Sequence, residues 1–217
     1  YEEFLDTYRL IREMGFGNVN VDLMSAIPGQ TAAGWEKMLR KVAGIRPEHI
    51  SAYSLIIEEG TPFYEKYGKA RDDADALRDA PLPDEEEERR MYRSTKKILG
   101  EYGYQQYEIS NYALPGYECR HNLGYWDRTE YLGSGLGASS LLHNRRWDFG
   151  EEPAVLRIQE QMEEYMFLGL RKTEGVSRSR FAGEFGRGLD EVYGNVLRKM
   201  YELGLMEETG DLVRLTE

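Results

Sequence analysis

Apolar positions change period along the chain so that helix and strand alternate. Phe4, Leu5, Tyr8 and Ile11 follow helical spacing, which predicts a helix over residues 1–14 closed by Gly15 and Gly17. Val19, Val21 and Leu23 then alternate with Asn20, Asp22 and Met24, the period of a strand. The run Ile27-Pro28-Gly29-Gln30-Thr31 is a turn, with Thr31 as N-cap. Trp35, Leu39 and Val42 mark one face of a second helix ending near Gly44, and residues 50–55 form a second strand before the loop at 58–62. Residues 66–80 are charged and alanine-rich without a clean period, a surface loop or short helix. Asp84 and Glu87 form a capping box for a helix that buries Met91, Thr95, Ile98, Leu99 and Tyr102 and stops at Gly103. Tyr104 to Ile109 reads as a strand, and residues 111–126 as irregular. Three further helices are outlined by Val155 to Gly169, by Phe181 and Phe185 after a Ser177 cap, and by Val192 to Leu203. A hairpin turning at Thr209-Gly210-Asp211 ends the chain.

Helix–strand–helix–strand order predicts parallel strands joined by crossover helices, a β/α barrel or an open α/β sheet, with the active site at the C-terminal strand ends. Asp22 and the 27–31 turn are assigned to such an end. A carboxylate within an apolar strand is costly unless paired, so Asp22 is either functional or a structural or solvent-facing charge.

Composition narrows the function. The 217 residues include 39 acidic and 28 basic ones, a formal net charge of −11. Such a chain is a poor binder of polyanions, so nucleic acid is not an expected partner. The C-terminal helices and hairpin resemble a winged helix, yet residues 151–217 hold 9 basic and 14 acidic residues, which favours a packing or lid role over DNA binding. No apolar run approaches the roughly 18 residues of a transmembrane span. Cys119 is the only cysteine, which excludes an internal disulfide and a thiolate-only iron–sulfur cluster and makes a cytoplasmic location the expectation. Both termini look like cuts through a longer protein.

Residues 111–126 concentrate chemistry: Cys119 and His121 would face the same way on an extended backbone, and Tyr125 and Trp126 offer flat faces for a planar ligand. The other reading is a loop whose aromatics fill a core and whose histidine caps a carbonyl. Glycines 133, 135 and 137 suggest a backbone approached closely, without a full dinucleotide fingerprint. His49 and His143 lack metal-type partners in sequence and are read as structural or surface residues.

Several phrases together resemble one family. Val21-Asp22-Leu23-Met24-Ser25-Ala26-Ile27-Pro28-Gly29-Gln30-Thr31 resembles a strand motif of the oxygen-independent coproporphyrinogen III oxidase superfamily. Residues 46–55 and Glu59-Gly60-Thr61-Pro62 are similar to its next strand and loop. Tyr107 to Ala113 and His121-Asn122-Leu123-Gly124-Tyr125-Trp126, an H-N-x-x-Y-W run, resemble the HemW branch, the radical-SAM heme chaperones; residues 165–171 and 173–176 are similar to its C-terminal domain.

This resemblance implies the last strands of a partial, TIM-like β/α barrel (residues 1–65), a barrel-associated heme region (66–150) and a small α+β winged-helix-like domain (151–217). It implies that Asp22 contacts the ribose hydroxyls of S-adenosylmethionine, that Ile56 lies near the adenine, and that His121 takes part in heme binding as a ligand of the iron. The family's cysteine motif and glycine-rich strands are absent, so the [4Fe–4S] cluster belongs to a longer parent and this chain alone is expected to be inactive. Ser139 stands where the family often has histidine. The expected cofactors are S-adenosylmethionine, heme and, in the parent, the cluster. Half a barrel leaves an open strand edge, so association, for instance as a homodimer, is expected. The heme acceptor is not readable. The alternatives are a coproporphyrinogen III dehydrogenase of porphyrin biosynthesis and an acidic winged-helix interaction module.

Overall fold

The alternating segment at residues 20–25 is a strand because every second side chain finds a helix to cover it. A computed structural model describes residues 1–68 and 81–216. It is a mixed α/β structure of two units: residues 1–106 with 110–118, and residues 107–109 with 119–217. The expected loop or short helix at 66–80 falls outside the described residues from position 69 onward. Among the described residues no helix is long and apolar enough to cross a membrane.

The first unit opens with α1 (Glu2–Glu13), followed by β1 (Asn20–Ser25), α2 (Ala32–Gly44) and β2 (His49–Ser54). The two strands are parallel, with Asn20 opposite His49, Asp22 opposite Ser51 and Met24 opposite Tyr53. Val21, Leu23 and Ile50 point to one face, where they join Trp35, Leu39 and Val42 of α2. Thr31 caps α2 through the Gly34 N–H. The next helix, α3 (Glu85–Glu101), starts at Asp84, whose carboxylate accepts the Glu87 N–H at 2.8 Å. Glu87 does not complete a box. Its carboxylate accepts the Ala32 N–H at 2.7 Å, supplying an acceptor to the first turn of α2. Trp35, fully buried, donates its indole N–H to Thr95 Oγ1 at 2.8 Å.

The strand expected at 104–109 is reduced to β3 (Gln105–Gln106), which pairs antiparallel with β4 (Asn111–Ala113). β4 in turn pairs antiparallel with β2, giving the order β1-β2-β4-β3, a mixed sheet rather than a wholly parallel one. The physical reason is that residues 107–109 pair elsewhere: Ile109 N–H donates to the Arg171 carbonyl and Thr173 N–H to the Tyr107 carbonyl.

The second unit contains α4 (Arg120–Trp126) and a three-stranded sheet of β5 (Ser139–Leu142), β6 (Arg145–Asp148) and β7 (Ala154–Val155). The β5–β6 turn has His143 and Asn144 both at positive φ, 50° and 56°, as a two-residue hairpin requires. Then come α5 (Ile158–Gly169), β8 (Val176–Ser177), α6 (Arg178–Phe185), α7 (Leu189–Glu202), β9 (Met206–Thr209) and β10 (Leu212–Leu215), the last strands forming a sheet in the order β8-β10-β9. Phe181 sits at the centre of their core, 5.4 Å from the Tyr165 ring and 4.8 Å from that of Phe185. Gly175 has φ +79°, and any Cβ there would strike the Val213 carbonyl, so glycine is required where β8 meets β10.

Candidate functional site

In the first unit the sheet face turned away from α2 is polar. β1 buries Val21 and Leu23 and exposes Asn20, Asp22 and Met24. Asp22 is the third residue of this six-residue strand, so it does not occupy the C-terminal end expected for it. Its exposure also removes the burial cost. Asp22 Oδ1 accepts the Asn20 side-chain amide at 2.7 Å, and Oδ2 accepts no hydrogen bond from the described residues. Ser51 Oγ donates to Asn20 Oδ1 at 3.2 Å, and His49 Nδ1 lies 2.6 Å from the same oxygen. His49 is buried, and burial lowers its pKa below the usual 6.5, against smaller opposing effects of Asp22 and Glu118. Its reading as a structural histidine fits this position.

Beyond Asp22, Met24 and Tyr53 lie side by side on the same face, 49% and 41% exposed. Ile56 follows β2 in a loop and is 79% exposed. The first unit thus presents an acceptor carboxylate and, two residues along the strands, an exposed apolar pair. That order suits a ligand with a hydroxylated and a flat apolar part.

In the second unit the H-N-x-x-Y-W run is helical, not irregular. Cys119 precedes α4 and His121 lies within it, so the two do not share a face as they would on an extended strand. The His121 ring is exposed, and its nitrogens make no hydrogen bond to the described residues. It meets Tyr125 edge-on at 4.6 Å, and Tyr125 meets Tyr131 edge-on at 4.6 Å. One face of Trp126 is taken by the Arg171 guanidinium, 4.3 Å from the ring centroid. Of glycines 133, 135 and 137, for which a close backbone approach was expected, Gly133 has it, since a Cβ there would strike the Ser139 carbonyl, whereas a Cβ at Gly135 or Gly137 would meet open space among the described residues.

Buried charges anchor the C-terminal end of α4. The Arg128 side chain, 4% exposed, pairs with Glu164 at 3.1 Å and Glu184 at 2.8 Å, and Arg146 also reaches Glu164 at 3.1 Å. Lys172 is paired with Asp127 at 2.8 Å and Glu174 at 2.9 Å. Burial acts to lower its pKa, but these hydrogen bonds outweigh it and hold the ammonium above its usual 10.5.

Asp22 and Ile56 belong to the first unit and His121 to the second. Asn20 and His49 escaped the sequence reading as site residues; the signal available was an asparagine two positions before Asp22 on the same strand face. A metal ion held by three His, Cys, Asp or Glu side chains has no candidate group among the described residues.

Residues 156–217 match the HemN C-terminal domain family. The solved structure of coproporphyrinogen III oxidase (HemN) from Escherichia coli, described as a radical SAM enzyme, superposes with a TM-score of 0.76 over 100% of this chain and 55% of that one, at 18% identity, a likeness of fold. These likenesses are those of a fragment of the HemN superfamily. Within it the chain is HemW-like: it is 37% identical to the heme chaperone HemW of Bacillus subtilis over 99% of its length, and 33% identical to that of Lactococcus lactis over 98%. It spans 59% and 58% of the length of those two relatives.

Proposed function

We propose that the chain is part of a heme chaperone of the radical SAM superfamily, which binds heme for delivery and carries part of an S-adenosylmethionine site. In this reading the first unit is the end of a partial β/α barrel and the last helices and strands are a winged-helix-like domain. Asp22 accepts hydrogen bonds from the ribose diol, and the backbone at Ile56 lies beside the adenine. His121 offers its imidazole to the heme iron. The observation that carries the reading is this exposed ring, with neither nitrogen engaged by the described residues, in an H-N-x-x-Y-W run. S-adenosylmethionine, when bound, supplies the radical precursor of the superfamily. The residues that fit it here are a diol acceptor and an apolar neighbour. One cysteine cannot ligate a [4Fe–4S] cluster, so its thiolates must come from other polypeptide. A reducing, cytoplasmic setting fits the free thiol.

Heme titration followed at the Soret band tests this. His121→Ala is expected to weaken binding at least about tenfold, as loss of an axial ligand would, or to shift the band. A superimposable titration of the variant removes His121 from the site. Coproporphyrinogen oxidation is the less favoured alternative, because the relatives at 33–37% identity are heme chaperones whereas HemN is 18% identical.

A further inference from the structure

The two parallel strands carry a chain of hydrogen bonds that ends on Asp22. Asn20 sits between His49 on the neighbouring strand and Asp22 on its own. Elementary chemistry fixes the direction of each bond. A carboxylate at neutral pH only accepts, so the Asn20 amide turns its NH2 to Asp22 and its oxygen to His49 and Ser51. An amide oxygen also only accepts, so His49 must carry its hydrogen on Nδ1. The anchored end of this chain is the buried imidazole, 5% exposed, whereas Asn20 and Asp22 are open to solvent.

An exposed aspartate on a strand would otherwise sample several rotamers. Here one oxygen is held by Asn20, and the other is free of the described residues. A carboxylate fixed in this way meets two hydroxyls without first losing side-chain freedom, so part of the ordering cost of binding is removed in advance. We propose that Asn20 and His49 are positioning residues that orient the Asp22 carboxylate toward a vicinal diol, the ribose hydroxyls of S-adenosylmethionine. This rests on the reading of Asp22 given above. Neither residue touches the ligand; His49 acts through Asn20, and Asn20 through Asp22.

The test is a titration of this chain with adenosine, S-adenosylmethionine and 2′,3′-dideoxyadenosine, followed by NMR so that weak binding is measured. Wild type is compared with Asp22→Asn, Asn20→Ala and the double variant. Asn20 is exposed and lies outside the apolar core, but its truncation takes an acceptor from the buried His49 and Ser51, so the fold of each variant is checked by its amide spectrum before titration. Asn20→Ala is expected to weaken adenosine and S-adenosylmethionine about fivefold, the worth of one ordinary hydrogen bond. It is expected to leave the dideoxy compound unchanged and to add nothing to Asp22→Asn. Nitrogen-15 spectra of wild type are expected to show the His49 hydrogen on Nδ1. If Asp22→Asn binds the diols as wild type does, or wild type binds none of them, the reading of Asp22 fails and this inference with it. If Asp22→Asn weakens the diols while Asn20→Ala does not, or weakens all three ligands alike, positioning is refuted and the role of Asp22 stands. A hydrogen found on Nε2 alone refutes the chain of bonds.

Discussion

The two units hold themselves together by different physics. The first rests on apolar burial: Trp35, Leu39, Ile50 and Leu99 are fully buried, and the buried polar bonds among them, Trp35 to Thr95, Thr95 to the Met91 carbonyl and Tyr104 to the Pro47 carbonyl, are neutral on both sides. The second combines an aromatic cluster around Phe181 with ion pairs centred on the buried Arg128, Glu164 and Lys172 side chains, whose partners Arg146 and Asp127 are half-buried. Apolar burial is non-directional and tolerates adjustment. A buried charge has one acceptable arrangement, and losing a partner leaves an uncompensated ion. The second unit thus holds the end of the His121 helix by fixed geometry, whereas the first holds the Asp22 strand by a packed helix behind it.

The sharpest way to break this contrast is Trp35→Ala. It should cost about 3–5 kcal/mol, and amide exchange should rise in α2, β1 and β2 while α5 to α7 keep their protection. Uniform acceleration across both units would erase the distinction. Glu164→Ala should follow at about 3 kcal/mol, the low end for breaking a buried pair, because Glu184 still reaches Arg128. Its effect should appear in the second unit and persist in high salt; a loss removed by salt would mean a solvated pair. Glu87→Gln keeps an acceptor for Ala32 but removes its charge, and should cost about 1 kcal/mol, read by denaturant melting of the first unit. The smallest effect concerns pH. Because burial lowers the pKa of His49, protonation favours the unfolded chain. This contribution is fully present above pH 6.5 and is lost as pH falls below that value through the depressed folded pKa. His49→Gln should flatten the slope between those limits, and an unchanged slope would show that His49 is not the group titrating.

Elements with a repeated apolar face were legible in the sequence. The spacing of Trp35, Leu39 and Val42, with the Thr31 cap, gave α2 closely, and the alternation at Val21 and Leu23 gave β1. α4 was not, because its seven residues bury no side chain and so print no period. The sheet of β5, β6 and β7 was also missed: its strands are two to four residues long and rest on a turn at His143 and Asn144 that looks unremarkable in sequence. At the candidate site, Asp22 stood out as a charge among apolar neighbours. Its links to Asn20, Ser51 and His49 did not, since strand register over 29 residues is set by packing rather than by local spacing. The ion pairs around Arg128 were hidden for the same reason: Glu164 lies 36 positions away.

The carboxylate of Glu87 has a consequence for how small this molecule can be made. Strands β1 and β2 with α2 between them look like a complete parallel building block, yet the first amide of α2 obtains its acceptor from a residue 55 positions later. Trp35 likewise finds its hydroxyl 60 positions on. An excised piece ending after β2 would therefore carry an orphan amide and an orphan indole, and the shortest autonomous version of this half must run through α3.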